Sequence, residues 1–525
     1  MKRRALMQAT AAALAAPALG GVAGKRVVRI VPHTNLASMD PIWTLAVISR
    51  NHGYLVYDTL FGMTLDFRPT PQMAEGLLVE DDGRTVTIGL REGLAFHDGE
   101  SVRAADCIAS IARWGKRNAI GQKLASVTDE LTALDDRRLQ FRLKRPFPLL
   151  ANALANVGQP AFIMPERIAG TDPFKQIVDA TGSGPFRFNP QEFLSGHRVV
   201  YDRNPAYIPV ATGEPSLTSG PKRAFVDRVE WHVIPDAATA AAALQRGEVD
   251  WYEQPPPEQL SLLRQHASIS VERTTPFPSC GLLRFNFLHP PFNNKAVRKA
   301  LLPAIEQADF MTAINGTDEG AWQEAGIFTP GTAMATAAGL EPLRGPRDVE
   351  RSRRLLREAG YNDELMRLVG PTDILGPTAL TQVGADLFRR LGFNMDLALS
   401  DWGTVLQKRG SHEPVERGGW SAFLTNFPGV DFIDPGTHPS LSGNGAGPGS
   451  YSGWPTIPRL EELRENYFNA ADGDTRKAVC ADLQRVVMDE VAFVPLGAFT
   501  QFTAVRRDIS DRLPGVVVFW NLKRS

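Results

Sequence analysis

The sequence predicts an α/β protein with more than one domain. A chain of 525 residues is longer than a single hydrophobic core usually supports. Residues 229–251 predict a strand, an alanine-rich helix that ends at Gly247, and a second strand. Residues 365–399 show the same strand–helix–strand order. Because such units occur in both halves of the chain, we expect each half to contain a sheet covered by helices.

The remaining elements follow the same alternation. Residues 27–31 form an apolar strand pattern, and a helix-like segment covers 46–61. Alternating apolar residues predict strands over 86–90 and 139–143, with a helix from Ala104 between them.

In the second half, the predicted helices have suitable capping residues at their ends. Asn294 is a suitable N-cap for a helix that continues to Ala308, and Gly360 is a suitable end for a later one. A helix over 476–489 precedes an apolar strand, and residues 519–521 predict a strand near the end.

The composition is that of a globular protein with nearly balanced charge. Hydrophobic residues make up 43% and charged residues 22% of the chain, and the formal net charge is −1. Basic clusters interleaved with aromatic residues are lacking, so we expect no nucleic-acid partner. Cys107, Cys280 and Cys480 lie far apart, which favours buried packing as small apolar groups and leaves one disulfide open.

Residues 1–24 predict a signal peptide. Lys2, Arg3 and Arg4 precede an apolar, alanine-rich run over 5–19, which is too short for a membrane-spanning helix. We therefore expect export to the periplasm, by the general or the twin-arginine route. No cysteine follows the run to accept a lipid, which favours a freely soluble protein.

Residues 400–435 combine the side chains that recognise a small zwitterion. Tryptophan supplies apolar area, arginine a forked donor for a carboxylate, and aspartate a counter-charge for an ammonium group. Glycines and prolines between them favour turns over long helices. The stretch contains Trp402, Arg409, Arg417, Trp420, Asp431 and Asp434.

The chain resembles the large periplasmic substrate-binding proteins of ABC importers, solute-binding protein family 5, which carry peptides, dipeptides, glutathione or nickel complexes. The resemblance rests on Gly419-Trp420, on the run from Asp431 to Pro435, and on the order of motifs over 75–102. It implies a two-lobed clamshell with an extra domain inserted in the first lobe.

The resemblance also implies domain boundaries. The first lobe would comprise 25–66, 181–277 and 494–525, the inserted domain 67–180, and the second lobe 278–493. We expect the hinge near 275–281 and 492–497. The lobes would close on the ligand and present a new surface to a permease.

Several site residues follow from the same resemblance. Asp431 would hold the amino terminus of a ligand, although a longer insert over 425–429 separates it from Trp420 than in peptide binders. The other expected ligand contacts are Asn35, Leu36, Trp402, Arg409, Arg417, Trp420 and Phe499. For Asn35 and Leu36, a simple turn before Asp40-Pro41 is the alternative.

The function implied is that of a periplasmic solute-binding protein. It would capture a short peptide, a modified amino acid or a similar zwitterion or anion and deliver it to the membrane permease of an ABC importer. We expect a monomer without cofactor, metal site or catalysis. An exported hydrolase or peptidase, a binder of a preformed metal complex, and a periplasmic chaperone remain as alternatives.

The catalytic alternative lacks its usual motifs. The sequence contains no His-Glu-x-x-His and no Gly-x-Ser-x-Gly, and its nine histidines are scattered. His97 lies beside Asp98, but the pair falls in a turn between strand and helix and has no nucleophile motif nearby. The glycine-rich stretch 181–186 lacks the lysine of a phosphate loop.

Overall fold

The computed structural model describes residues 26–318, 320–447 and 450–525, so the predicted signal peptide lies outside the described residues. The strands, in chain order, are β1 (Val27–Val31), β2 (Asp58–Thr59), β3 (Phe61–Met63), β4 (Pro69–Pro71), β5 (Ala74–Glu80), β6 (Thr85–Leu90), β7 (Thr128–Ala133), β8 (Arg138–Leu143), β9 (Phe162–Ile163), β10 (Phe186–Phe188), β11 (Arg198–Arg203), β12 (Arg228–His232), β13 (Trp251–Tyr252), β14 (Ile269–Arg273), β15 (Ser279–Phe285), β16 (Trp322–Gln323), β17 (Met366–Pro371), β18 (Met395–Ser400), β19 (Ala422–Phe427), β20 (Phe493–Phe499), β21 (Phe502–Arg506), β22 (Ile509–Ser510) and β23 (Lys523–Arg524).

The α-helices are α1 (Val47–Val56), α2 (Ala104–Arg117), α3 (Ala119–Val127), α4 (Leu150–Leu154), α5 (Glu166–Ala169), α6 (Ala237–Arg246), α7 (Pro257–Gln265), α8 (Lys295–Leu301), α9 (Gln307–Asn315), α10 (Glu341–Arg344), α11 (Val349–Glu358), α12 (Leu375–Leu391), α13 (Trp402–Arg409), α14 (Pro458–Asn469) and α15 (Gly473–Glu490). Within the described ranges, none of them is long and apolar enough to cross a membrane.

A seven-stranded sheet forms the first lobe, in the order β10-β11-β12-β1-β13-β21-β14. Strand β1 runs parallel to both β12 and β13. Helix α6 joins β12 to β13; it begins at Asp236, whose carboxylate accepts the N–H of Thr239, and ends at Gly247 in the left-handed conformation with φ of 74°. The predicted strand–helix–strand unit over 229–251 is therefore confirmed.

A six-stranded sheet forms the second lobe, in the order β16-β20-β15-β19-β17-β18. Strand β17 is parallel to β18 and β19, and α12 connects β17 to β18 as predicted. The predicted helix after Asn294 is shorter than expected. Asn294 caps α8, but a short 3-10 turn containing Pro303 follows, and the backbone is extended at Ile305 before α9 begins.

The inserted domain contains a four-stranded antiparallel sheet, in the order β5-β6-β8-β7. His97 ties this domain to the first lobe. Its Nδ1 accepts the N–H of Gly182 at 3.3 Å, and its Nε2 lies 3.1 Å from the carbonyl oxygen of Gly184. Burial lowers the pKa of His97 to about 4, so the imidazole is neutral near pH 7 and has a structural role.

Two short segments connect the lobes. Residues 274–278 join β14 to β15, residues 500–501 join β20 to β21, and the N–H of Thr274 donates to the carbonyl oxygen of Gln501 at 2.9 Å. The expected boundary at 494 and hinge at 492–497 need correction. Strand β20 pairs with β15 in the second sheet, so the chain returns to the first lobe only after residue 499.

The strand predicted over 519–521 is absent from the described structure. Phe519 and Trp520 are buried, but this segment adds to core packing without pairing as a strand. Trp520 packs edge-on against Tyr54, and the Lys222 ammonium group lies 4.9 Å from its ring centre. All three cysteines are buried and unpaired.

The two lobes are in contact. The largest hydrophobic cluster begins in the first lobe, continues through the inserted domain, and includes second-lobe residues from the segment 427–493. A separate cluster fills the rest of the second lobe between its sheet and helices. The two lobes and the inserted domain therefore share one hydrophobic cluster.

Candidate ligand-binding site

A cavity of about 1100 Å³ lies between the two lobes and the inserted domain. Sites for small molecules commonly enclose ~300–1,000 Å³, so this cavity is large enough for a ligand of short-peptide size. Its lining includes His33, Thr34, Trp43, Arg50, Arg117, Phe174, Glu253, Ser279, Leu375, Trp402, Arg409, Asn426, Tyr451, Trp454 and Phe499.

The carboxyl ends of parallel strands meet at this cavity, as is usual in α/β sheets. In the first lobe, His33 follows β1 and Glu253 follows β13. The Glu253 carboxylate accepts the backbone N–H of His33 at 2.8 Å and lies 2.9 Å from its Nδ1. In the second lobe, Leu375 follows β17 and Trp402 follows β18.

Helix α13 places Trp402 and Arg409 on the cavity wall. Its start is fixed by two carboxylates. Asp401 accepts the N–H of Thr404 at 3.0 Å, and Asp373 accepts the N–H of Trp402 at 2.8 Å. The helix is eight residues long, so Trp402 and Arg409 lie two turns apart on similar faces.

Arg409 is the most distinctive group in the cavity. Its guanidinium carbon lies 4.5 Å from the ring centre of Phe423, 5.1 Å from that of Trp402 and 5.8 Å from that of Tyr451. Only 6% of the residue is exposed. Nη1 donates to the Tyr451 hydroxyl at 3.4 Å, whereas Nε has no hydrogen-bond partner and no carboxylate pairs with the group anywhere in the described chain.

A buried guanidinium without an anion is costly, because aromatic rings compensate for only part of its lost hydration. A ligand carboxylate would supply the missing charge through two parallel hydrogen bonds. Arg409 is therefore suited to bind a carboxylate.

An ion pair between the lobes lies beside the cavity. Arg50 of α1 donates from Nη1 to Oδ1 of Asp431 at 3.1 Å. Arg50 lines the cavity, whereas Asp431 lies outside the lining. Gly158 covers another side of the carboxylate, since a Cβ at that position would lie 2.1 Å from Oδ1.

The charge state of Asp431 depends on two opposing effects. Burial raises the pKa of Asp431 to about 6, and the neighbouring Arg50 charge opposes that rise. The carboxylate is therefore mainly ionised at pH 7, and the interlobe pair is intact there.

Three of the predicted site residues line the cavity, namely Trp402, Arg409 and Phe499. The two candidates in the first lobe do not. The Asn35 side chain accepts the N–H of Gly196 at 3.1 Å, and Leu36 is buried in the hydrophobic core.

Three candidates in the second lobe also lie outside the lining. Arg417 is 71% exposed and pairs with Glu413 at 2.7 Å on the protein surface. Trp420 is buried against Trp454 and donates from Nε1 to the carbonyl oxygen of Ser411 at 3.2 Å. Asp431 is enclosed by Arg50 as described above.

Other cavity residues were not identified from the sequence. Arg117, the last residue of α2, donates to the carbonyl oxygen of Trp43 at 2.6 Å and lies 5.2 Å from the ring centre of Phe174. Ser279 Oγ and Asn426 Oδ1, on neighbouring strands, have no hydrogen-bond partner among the described residues. Arg50 was detectable only as the single arginine of helix α1, among the polar residues Ser49, Asn51 and His52.

Sequence comparison decides the family. The family model described as "Bacterial extracellular solute-binding proteins, family 5 Middle" matches residues 68–447. The chain belongs to this family. As a solute-binding protein of family 5, it has a fold in which two lobes enclose the cavity described above.

A curated relative of this solute-binding protein matches almost its full length. It is the probable peptide ABC transporter periplasmic-binding protein y4tO of Sinorhizobium fredii, which is 34% identical over 524 residues and covers 98% of both chains.

Solved structures share the fold of this solute-binding protein. A dipeptide-binding protein from Pseudoalteromonas in complex with Met-Leu has a TM-score of 0.77, with 20% identity over 95% of this chain and 100% of that one. The oligopeptide-binding protein AppA from Bacillus subtilis in complex with a nonapeptide has a TM-score of 0.80, with 15% identity over 95% of this chain and 99% of the other. These likenesses confirm the predicted two-lobed fold with an extra domain.

Proposed function

We propose that this protein captures a carboxylate-bearing solute, of the size of a short peptide or modified amino acid, in the periplasm and delivers it to the permease of an ABC importer. The observation that carries the proposal is Arg409, a buried guanidinium in the interlobe cavity without an acidic partner in the described chain. The 34% identical relative is named a probable peptide ABC transporter periplasmic-binding protein, which supports the solute class and the location.

Lobe closure follows from where the cavity residues lie. His33 and Arg50 belong to the first lobe and Arg409 to the second, so a ligand that contacts all of them is enclosed only when the lobes meet. Two adjacent connecting segments, 274–278 and 500–501, allow such a hinge motion. The closed surface is what a permease would recognise.

We further propose a monomer that acts by binding alone. Catalysis needs a nucleophile or base in contact with a partner that activates it. Among the described cavity residues, no serine or cysteine hydrogen-bonds to a histidine, and His33 is engaged by Glu253. The hydrolase alternative therefore has no group in the cavity that supports it.

The proposal is tested by combining native mass spectrometry with small-angle scattering. Protein purified without denaturation should carry up to one small molecule per chain. After that molecule is removed by unfolding and refolding, adding it back should decrease the radius of gyration. An unchanged radius, in protein shown to be empty at the start and occupied afterwards, contradicts the closure mechanism, and sustained turnover of the bound molecule contradicts a binding role.

A further inference from the structure

Positive and negative side chains in the cavity lining are not matched in number. If the proposed function is correct, this difference restricts which solutes can bind. Three acidic side chains line the cavity, and each is already engaged by a hydrogen bond or an ion pair within the protein. Glu253 contacts His33, Glu461 pairs with Arg464 at 2.8 Å, and Glu465 pairs with Lys123.

Two arginines in the same lining have no such partner. Neither Arg409 nor Arg117 forms an ion pair with a carboxylate of the described chain. Their polar contacts are the Tyr451 hydroxyl and the carbonyl oxygen of Trp43, which carry no net charge. These two guanidinium groups outnumber Glu253, the lining carboxylate whose neighbour is a histidine, so the net charge of the cavity is positive.

Asp431 is the carboxylate that the family resemblance suggested for a ligand ammonium group, and it is covered. Its Oδ1 accepts the Arg50 hydrogen bond at 3.1 Å, and the Gly158 backbone occupies another side. Arg50 belongs to the cavity lining and Asp431 does not. A ligand ammonium bound to Asp431 before the lobes close would leave the Arg50 guanidinium buried without its partner in the closed form.

We propose that the solute is an anion whose nitrogen carries no positive charge, such as an N-acylated amino acid or N-blocked peptide, and that Arg50 excludes free amino termini by covering Asp431. Its carboxylate binds Arg409. A free ammonium group in this cavity would lose its hydration without gaining an anionic partner, and it would add to the existing positive charge. An N-acyl group avoids both costs and presents an amide to polar atoms such as Asn426 Oδ1.

The inference is tested with three pools made from one dipeptide library: free dipeptides, their N-acetyl derivatives and their C-terminal amides. Each pool is incubated with ligand-free protein, and the retained compounds are counted by native mass spectrometry. We expect the N-acetyl pool to be retained at least about threefold better than the free pool, because a free ammonium group loses its hydration in this cavity. We expect the amide pool to be retained at least thirtyfold less, because a desolvated charge contact is lost.

A matched variant tests the role of Arg50. Arg50→Met uncovers Asp431, so this variant should shift retention toward the free pool by about tenfold or more. The double variant Arg50→Met/Asp431→Asn removes both charges of the pair. It should show no such shift, so it controls for effects of the Arg50 substitution on folding.

Each other outcome contradicts the inference in a recognisable way. A wild-type preference for the N-acetyl pool of less than about threefold, or a preference for the free pool, shows that free amino termini are accepted, and the proposed function stands. Retention of no pool, in protein that still contracts around its own co-purified molecule, shows that the solute is not an N-blocked peptide and again leaves the function intact. Failure of both retention and contraction contradicts the proposed function itself.

Discussion

Replacing Arg409 by methionine should separate ligand binding from stability. Methionine keeps the length and apolar stem of the side chain but removes the charge. In the bound state a ligand carboxylate would then be buried without a cation. Removing one partner of a desolvated charge pair costs ~2–5 kcal/mol, so the dissociation constant should rise about 30-fold to several thousandfold.

The stability of the ligand-free protein should respond differently. Loss of the contacts with Phe423, Trp402 and Tyr451 removes about 0.5–2 kcal/mol of cation–π attraction. Removal of a buried charge without an acidic partner relieves a desolvation cost of similar or larger size. We therefore expect the free energy of unfolding to fall by no more than about 1 kcal/mol, because the two effects oppose each other.

The assay is isothermal titration calorimetry with the co-purified ligand, together with urea unfolding of the empty protein. Arg417→Met is the matched control, because Arg417 is 71% exposed and outside the cavity. Its affinity should stay within about threefold of wild type. If Arg409→Met also stays within threefold, Arg409 does not bind the ligand and the reasoning is refuted.

In calorimetry with an N-blocked ligand, Arg50→Met should weaken binding about tenfold or more, because it leaves the Asp431 carboxylate buried without a cation, whereas the double variant Arg50→Met/Asp431→Asn should stay within about threefold. Gly158→Ala should also weaken binding, since its methyl group would lie 2.1 Å from Oδ1 of Asp431, while Gly76→Ala, with nothing within 4 Å, should not. Burial lowers the pKa of His438 from 6.5 to about 3, so between these values the unfolded state takes up a proton that the folded state does not. The free energy of unfolding should therefore fall with decreasing pH, by up to ~1.4 kcal/mol per pH unit for this group. Urea unfolding of His438→Gln at several pH values should show a pH dependence of this free energy that is weaker by that amount.

Local patterns were sufficient to predict the architecture. The strand–helix–strand units, the Asn294 cap and the placement of Trp402 after β18 depend on residues close in sequence. Domain boundaries that depend on which sheet a strand joins were harder to predict from the sequence. The apolar run of β20 fits either lobe, and only its pairing with β15 assigns it to the second.

The site was predictable only in part, for the same physical reason. Trp402 and Arg409 lie on one short helix, so their position followed from sequence order. The covering of Asp431 depends on Arg50, which is 381 residues away in the chain, and no local pattern reveals that contact. Arg417 and Trp420 belong to the expected stretch, but one is exposed and the other is buried in the core.

The most direct test of carboxylate binding by Arg409 is an atomic-resolution structure of the protein with its co-purified ligand. We expect a ligand enclosed between the lobes, with its carboxylate at hydrogen-bonding distance, roughly 2.7–3.2 Å, from the Arg409 guanidinium. We also expect Arg50 and Asp431 to remain paired. A ligand ammonium group bound to Asp431, with Arg50 displaced and Arg409 left without an anion, would contradict both expectations.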